Sequence, residues 1–406
     1  MAHWCIDFTT KREAMAAEKT HIAIISAGIG GLTLAASLLR LGFSVEVYEQ
    51  APQFAPIGAG IQLTANAMKA LRGLGLIESL RSIGFVPAAF HSREWDTAKI
   101  TNVLIMGEAL EQRYGAPDLM IHRARLHSVL AALIPPHRIH FGRKLVAIEQ
   151  DESTATLVFA NGSPVEAPLV VGADGIHSMA REALFGAEQP RFTGRVAYRT
   201  TYPTALLKGL AVDERAKWWG PDRHVVHYFT TAGEDEIYFI AVTPEPNFVV
   251  ESWSTKGDKD TLLAAFAGCH PQLRAILAAA PELRKWALLE RDPMPCWGTN
   301  SIVLLGDACH PMMPYMAQGA ASAIEDAVVL ARCLARASCN EIPNALAVYA
   351  ASRKERTARM QLTNRENTWL RFRTDTDWVY DFDAWHTELA GLENAPRGRS
   401  EATDFR

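Results

Sequence analysis

The sequence predicts an α/β protein: a Rossmann-like domain, interrupted by an inserted, mostly antiparallel β-sheet domain and completed by C-terminal helices. Three observations carry this. The stretch HIAIISAGIGGLTLAASLLRLGFSVEVYEQ (His21–Gln50) reads as a buried strand, a glycine turn, an uncharged helical run and a second strand ending in an acid. From about Phe192 to Val250 the texture changes to short β-rich runs, VAYRTTY, HVVHYFTT and EIYFIAV, separated by Gly, Pro and Asp, which is how an antiparallel sheet reads. Further on, SIVLLGDA is again a buried strand meeting a turn, and GAASAIEDAVVLARCLARA is a long helical run. No repeat or low-complexity linker separates these parts, so the domains interleave rather than follow in series.

Taken in order, Ile22–Ile25 is the first strand, Ile29–Leu41 a helix with a small-residue face, and Val45–Glu49 the second strand. HRARLHSVLAALI (His122–Ile134) has helical periodicity. ATLVFANGSPVEAPLVVGADG alternates and turns at Asn161-Gly162, a hairpin signal that leads into a buried strand, Leu169–Val171. DTLLAAFAGCHPQLRAILAAA is helical. The expected division is a flexible N-terminal extension over 1–19 and a discontinuous Rossmann-like domain over 20–85, 111–185 and 286–372. The β-sheet domain takes 86–110 and 186–285, and a C-terminal tail covers 373–406, fraying from about Glu393. The leader MAHWCIDFTTKREAMAAEK lacks the apolar core of a signal peptide, and Met15 is as good a start as Met1.

A net charge of -4 on 406 residues gives no reason to expect a nucleic-acid partner. The uncharged run Ile22–Leu39 approaches the length of a membrane span, but the glycines and serines in its first half and the strand that follows argue against one. The six cysteines form no CxxC pair and no Cys/His cluster at zinc spacing. Reduced thiols, a cytoplasmic location and no metal are therefore expected.

In G-x-G-x-x-G the first glycine makes the tight strand-to-helix turn, the second lets backbone approach a pyrophosphate, and the third lets helix pack on strand. Here those positions are Ser26, Gly28 and Gly31, with an extra glycine at Gly30. Glu49 lies 18 residues after Gly31, at the end of the second strand with Gln50 beside it, where an acid holds ribose hydroxyls. The expectation is a dinucleotide site kept but weakened, because Ser26 adds a side chain where the turn is tightest. The alternative is an ordinary crossover whose glycines serve packing alone. The fingerprint does not separate NAD from FAD.

At GADGIHSMAR (Gly172–Arg181) and LLGDACHPMMPYMAQGAASAIEDA (Leu304–Ala327), in that order after the glycine turn, the chain resembles the group A flavin-dependent aromatic hydroxylases. This is the family of salicylate and 4-hydroxybenzoate hydroxylases, and the resemblance runs from Thr20 to Phe372. The two segments match its DG and GD motifs. The resemblance implies FAD as cofactor and NADH or NADPH as co-substrate. It implies that Asp307 binds the FAD ribityl chain and that Asp174 lies near the pyrophosphate and the nicotinamide path. Arg123 in HRARL resembles a flavin-contacting arginine, a cation suited to phosphate. The small residues Ala317–Ala321, Gly319 and Ala320 among them, bring backbone amides to the flavin ring. IGAGIQLTANAMKAL (Ile57–Leu71) matches a segment that passes close to the flavin, with Gly58 and Gly60 permitting close approach and Gln62 beside them. Helix caps for Asp174 and Asp307, and a surface ion pair for Arg123, are the alternatives. Ala65-Asn66 stands where many relatives have proline before the asparagine.

Within the family the resemblance is to hydroxylases of hydroxypyridine carboxylates, carried by KWWGPDRHVVHYFTT, AFAGCHPQL, LLGDACHPM, AQGA and RENTWL. Strand geometry puts His224, Val226 and Tyr228 on one face and His227 on the other. His224, Tyr228 and Tyr238 match pocket residues of those enzymes, which implies that the histidine takes a phenol-like proton while the tyrosines position the ring. The alternative is a half-buried sheet with a hydrogen-bonded histidine. Three positions depart: Gln62, Arg215 and Tyr315 stand where those enzymes have histidine, cysteine and histidine. Gln62 cannot serve as a base, which leaves His224 or solvent. Arg215 either holds a substrate carboxylate bidentately or lies at the surface.

The resemblance thus implies a single-component monooxygenase that takes a small aromatic substrate, O2 and NAD(P)H and adds oxygen to an activated ring carbon. CO2 leaves if that carbon bears a carboxylate. The cofactor carries the chemistry, and the protein orients the ring, excludes water and removes a proton. A monomer or homodimer without membrane or nucleic-acid partners is expected. Two other readings stay open: a flavin oxidase or epoxidase on a larger lipophilic substrate, for which the Trp218–Trp219 pair leaves room, and a degenerate relative that lost flavin through Ser26 and only binds ligands.

Overall fold

The computed structural model describes residues 21–55, 59–151, 154–248 and 255–391. The expected extension over 1–19, Gly58 and the fraying expected from Glu393 lie outside the described residues. The chain runs β1 (His21–Ile25), α1 (Ile29–Arg40), β2 (Ser44–Tyr48), β3 (Gly60–Leu63), α2 (Ala65–Gly73), β4 (Ala89–Glu94), β5 (Ile100–Ile105), β6 (Leu119–His122) and α3 (Arg123–Ala131). It continues through β7 (Ile139–His140), β8 (Leu145–Gln150), β9 (Ala155–Phe159), β10 (Val165–Ala167), β11 (Leu169–Gly172) and α4 (Met179–Phe185). Then come β12 (Arg191–Pro203), β13 (Arg215–Trp219), β14 (His224–Phe229), β15 (Glu236–Pro244), α5 (Lys259–Ala265), α6 (Pro271–Ala279), β16 (Arg284–Glu290), β17 (Ile302–Leu304), α7 (Gly319–Leu334) and α8 (Ile342–Glu366).

A parallel sheet of order β17-β11-β1-β2-β7 forms the Rossmann-like half. Ile22–Ile25 of β1, together with β11 and β17, form continuous apolar runs because both faces are covered. Ile22 and Ile24 of β1 pack into the main core, while Ala23 and Ile25 face the small antiparallel sheet β10-β9-β8. That small sheet turns at Asn161-Gly162, where Gly162 has φ +82°. The helix α1 packs against α7 through small residues: a Cβ on Gly30 would lie 2.6 Å from Leu305 Cδ2 and 3.2 Å from Ala323 Cβ.

The inserted sheet has seven strands in the order β16-β12-β15-β14-β13-β4-β5. All its pairs are antiparallel except β13 with β4. The segments around 86–110 and 186–285 therefore meet in one sheet. β16 crosses the boundary expected between 285 and 286, so the sheet runs on to Glu290. The short pair β3–β6 brings Gly60–Leu63 alongside Leu119–His122 between the two halves.

The C-terminal segment departs from the expected tail. Residues 373–391 pack on the protein, with Val379, Tyr380, Ala384 and Leu389 buried in the main core. Tyr380 meets Tyr114 edge-on at 5.6 Å. The polar texture of this segment hid its spaced apolar residues.

Candidate active site

The glycine turn is the first part of the site. Ser26 has φ +83°, the left-handed region that favours glycine, so this serine holds the conformation the missing glycine would have held. Its backbone N–H donates to Tyr48 O at 2.8 Å, which fixes the turn across β1 and β2. A Cβ on Gly31 would lie 2.2 Å from Ser26 O, so Gly31 is required for α1 to leave the turn. A Cβ on Gly28 would meet nothing nearer than Ser26 Oγ at 3.7 Å, which leaves the start of α1 open. Glu49 curls back to this turn: its carboxylate accepts from Ala27 N at 2.8 Å, Ala51 N at 2.9 Å and Ser26 Oγ at 3.3 Å. Gln50 is exposed beside it. Gly30, by contrast, faces Leu305 and Ala323 and serves helix packing rather than a ligand.

The second part is the loop between β17 and α7. Gly306, at φ +65°, turns the chain so that Asp307 lies beside the first turn of α7, with Asp307 Oδ1 3.9 Å from the Cβ position of Gly319. Ala320, in the same turn, is half-buried. Burial raises the Asp307 carboxyl, opposed by His310 and Arg123. Arg123 begins α3, and its backbone N–H donates to Ala59 O at 2.7 Å. Burial lowers its guanidinium against the pull of Asp307, so the two groups act on one another across the cavity they line. Asp174 acts locally instead. It accepts from Ser178 Oγ at 2.6 Å and Ala180 N at 3.2 Å and so holds the start of α4.

Buried charge that sequence reading missed anchors this loop. Asp326 accepts from His310 Nε2 at 2.5 Å, Arg353 Nε at 2.7 Å and Gly306 N at 3.2 Å. Cys309, His310 and Asp326 cluster at metal-ligating distances, but the aspartate oxygens are committed to these donors. Glu325 accepts from Arg353, Arg356 and Asn66. Asn66 also donates to Gln318 at 2.9 Å, tying the start of α2 to the start of α7. The signal was present: Glu-Asp in the middle of a mostly apolar helix, and a Lys/Arg-rich α8.

The third part is one face of the inserted sheet. Register aligns rows across β12, β15, β14 and β13: Thr201–Tyr238–Tyr228–Arg215, Arg199–Ile240–Val226–Lys217, and Ala197–Val242–His224–Trp219. Because opposed residues share a face and alternate residues return to it, these side chains form one patch. Tyr238, Ile240 and Arg199 line a cavity of about 280 Å³ together with Gly60, Arg123 and Asp307. Gly60 is required there, since its Cβ would lie 2.6 Å from Tyr238 Cγ and 2.8 Å from the Tyr228 hydroxyl. Tyr228 packs against Tyr238 behind it, ring centroids 5.0 Å apart and planes tilted by 46°. Burial keeps both phenols neutral, with Tyr238 pushed up to about 12 and Tyr228 further. Arg199 lies 4.1 Å over the Trp286 ring, and burial lowers it to about 10, so it stays protonated at neutral pH.

Arg215 is neither of the things expected of it. It is buried, pairs with Asp118 at 3.2 Å and donates to Gln62 Oε1 at 2.6 Å. Its charge is met inside the protein, which removes it as a holder of substrate carboxylate. His224 and Tyr315 stand further along the sheet, rings 5.1 Å apart and edge to face. Tyr315, Trp219 and Asn367 line a second hollow of about 410 Å³. His227 faces the opposite side, against Trp218.

These residues fit FAD: an open glycine turn beneath Glu49, and Asp307 at a helix start facing Arg123, both suit a dinucleotide at helix N-termini. The family described as FAD binding domain matches residues 19–363. The chain is 43% identical to a 6-hydroxynicotinate 3-monooxygenase of Bordetella bronchiseptica, covering 91% of this chain and 97% of that one. It is 36% identical to a 3-hydroxybenzoate 6-hydroxylase of Polaromonas naphthalenivorans, covering 85% and 86% respectively. A solved salicylate hydroxylase substrate complex superposes with a TM-score of 0.78 at 26% identity, covering 90% of this chain and 96% of the other. Among the described residues no helix is long and apolar enough to cross a membrane. Glycine turn, DG and GD segments, inserted sheet and relatives agree: this chain belongs to the family of FAD-dependent aromatic monooxygenases.

Proposed function

We propose that this chain hydroxylates a small phenol-like ring bearing a carboxylate, of the hydroxypyridine-carboxylate or hydroxybenzoate type, with NADH or NADPH and O2. The observation that carries the reading is the patch on the inserted sheet: Arg199, Tyr238 and Ile240 around a cavity of about 280 Å³, beside Arg123 and Asp307. Ligand pockets run from roughly 300 to 1,000 Å³, so this one suits a single ring better than a large lipophilic molecule.

FAD, when bound, supplies the transfer of two electrons from the nicotinamide and the activation of O2. The chain supplies the rest. Glu49 and Asp307 accept hydroxyl donors, Gly28 admits backbone to phosphate, and Arg123 supplies positive charge at the cavity. Arg199, protonated and planar, takes the carboxylate that Arg215 cannot. Tyr238 keeps its proton and donates to a ring oxygen. Ile240 and Trp286 give an apolar wall that excludes water.

The test is substrate-stimulated NAD(P)H oxidation by the FAD-loaded protein over a panel of hydroxypyridine carboxylates and hydroxybenzoates, with the product identified for each. A hydroxylated ring at stoichiometry with NAD(P)H supports the reading. Stimulation only by large lipophilic compounds, or peroxide in place of product from every ring, overturns it. Arg199→Met should raise KM for carboxylated rings about 10- to 100-fold, the worth of a charged hydrogen bond of about 1.5–3 kcal/mol.

A further inference from the structure

We infer that His127 is a positioning residue for FAD: it holds the carbonyl of Ala27 and so sets the direction of the Gly28 N–H at the open start of α1. This concerns the cofactor and is independent of which ring is hydroxylated.

The turn lacks its first glycine, and Ser26 sits there at φ +83°. A strained turn keeps its shape only where its surroundings hold it. Two anchors come from β2 and the residue that follows it. Ser26 N donates to Tyr48 O at 2.8 Å, and Ala27 N donates to Glu49 Oε2 at 2.8 Å. The third comes from α3, where His127 Nε2 donates to Ala27 O at 2.7 Å. A carbonyl has no proton to give, so Nε2 carries the hydrogen whether the ring is neutral or charged. Phe54 meets the His127 ring edge to face, centroids 4.5 Å apart and planes at 78°, which fixes the plane of the imidazole. Burial, then Arg123, lowers His127 against the pull of the Ala27 carbonyl and Glu49, so the neutral Nε2–H form is the donor at neutral pH. Ala27 is 2% exposed, which leaves water poorly placed to replace the imidazole.

The consequence runs through one peptide plane. The peptide between Ala27 and Gly28 is trans and planar, so its N–H points opposite to its C=O. Gly28 has no Cβ to restrain that plane, and a Cβ there would meet nothing nearer than Ser26 Oγ at 3.7 Å. The hold on the plane therefore comes from the carbonyl side, from His127. The Gly28 N–H donates to no group among the described residues. It is one of the donors at the start of α1, where phosphate is received. Were the plane to rotate, a carbonyl oxygen would stand where that donor stood, and its partial negative charge would oppose a phosphate. His127 lies one turn along α3 from Arg123, which lines the cavity. One helix thus supplies both a cation to the cofactor side and the hold on the turn.

The test is FAD binding to the full-length chain by flavin fluorescence, with thermal melts of the same apo forms, for three variants. His127→Leu fills the space without a donor and should weaken FAD about tenfold, or about 1.4 kcal/mol. His127→Gln carries an N–H to nearly the reach of Nε2 and should stay within about threefold of the wild type. His127→Asn reaches only as far as Nδ1 and should behave like the leucine variant. Glutamine as weak as leucine, or leucine as tight as the wild type, overturns the inference. So does a loss of affinity that follows the loss of apo Tm through all three variants, because the side chain then only fills space. If the leucine variant does not fold, the wild type decides. 15N NMR of the FAD-loaded protein labelled at histidine, with His127→Gln to assign the resonance, should show a protonated Nε2 from about pH 6 to 8. A bare Nε2 overturns the inference.

Discussion

Ser26 offers the sharpest test of the glycine turn. At φ +83° an L-residue is strained by about 1–2 kcal/mol. Replacing Ser26 by glycine relieves this but adds about 0.5–1 kcal/mol of unfolded-chain entropy. It also removes the 3.3 Å hydrogen bond from Ser26 Oγ to Glu49, which is long and half-exposed and contributes about 0.5 kcal/mol. These terms nearly cancel, so Ser26→Gly should sit within about 1 kcal/mol of the wild type. Ser26→Ala keeps the strained backbone and loses the hydrogen bond, and should be the less stable variant by about 1 kcal/mol, or about 2 °C in Tm. This reverses the usual order, in which glycine is the worse residue. Ser26→Gly also frees an oxygen of Glu49 and clears Oγ from above Gly28, so FAD should bind roughly 3- to 10-fold tighter, within about 1.4 kcal/mol. Paired thermal melts of the apo forms and FAD titrations by flavin fluorescence give both numbers. If alanine proves more stable than glycine at this position, the strain argument is wrong. If glycine weakens FAD, the serine hydroxyl belongs to the cofactor site.

Other outcomes follow from buried charge and packing. Asp118→Ala leaves Arg215 without a counter-ion in the interior and should cost about 3–5 kcal/mol; an unchanged urea midpoint would show that Arg215 finds solvent. Gly60→Ala places a Cβ 2.6 Å from Tyr238 Cγ, which should cost about 1–3 kcal/mol and reduce ring turnover at least tenfold, read by melts and kcat/KM. Arg353→Leu strips the shared cation from Glu325 and Asp326 and should also cost about 3–5 kcal/mol by urea unfolding. The same network sets a pH dependence. Burial raises both carboxyls, but Arg356 and Arg353 at Glu325, and His310 and Arg353 at Asp326, leave both net lowered. Their stabilisation is present above the unfolded values near pH 4 and is lost as pH falls through the folded ones. His310 is raised against burial by Cys309 and Asp326, so its share is present below about pH 6.5 and lost only as pH rises through its raised value. The urea midpoint should be flat from about pH 5 to 7 and fall below about 4.

The turn and its strands were legible because each is a local pattern. A buried run, a glycine step and an acid at fixed spacing are written in contiguous residues, and β1, α1 and β2 formed within a residue of expectation. The alternation in HVVHYF placed His224 and Tyr228 on one face and His227 on the other for the same reason. What could not be read was long-range. Arg215 looks the same in sequence whether it meets a substrate or Asp118, a residue 97 positions away. The packing of residues 373–391 depended on a surface made by α2 and the segment near Tyr114.

The placement of charge supports the proposed division between a cofactor side and a ring side. On the cofactor side the groups are acceptors, Glu49 and Asp307, set at helix starts where backbone N–H groups supply compensating positive ends. The carboxylates suit the hydroxyls of a dinucleotide, and the backbone N–H groups at the helix starts suit its phosphates. On the ring side the face of the sheet carries Arg199, Lys217 and, paired with Asp118, Arg215, with Arg195 nearby. The tyrosines and His224 between them are held neutral by burial. A net charge of -4 for the whole chain therefore hides a locally positive wall. Such a wall draws aromatic anions to a concave, low-dielectric surface. It also fits a neutral residue, Gln62, beside this wall. Where the ligand arrives as an anion and cations stabilise it, a glutamine that orients Tyr228 and accepts from Arg215 serves better than a histidine that would take up a proton among cations.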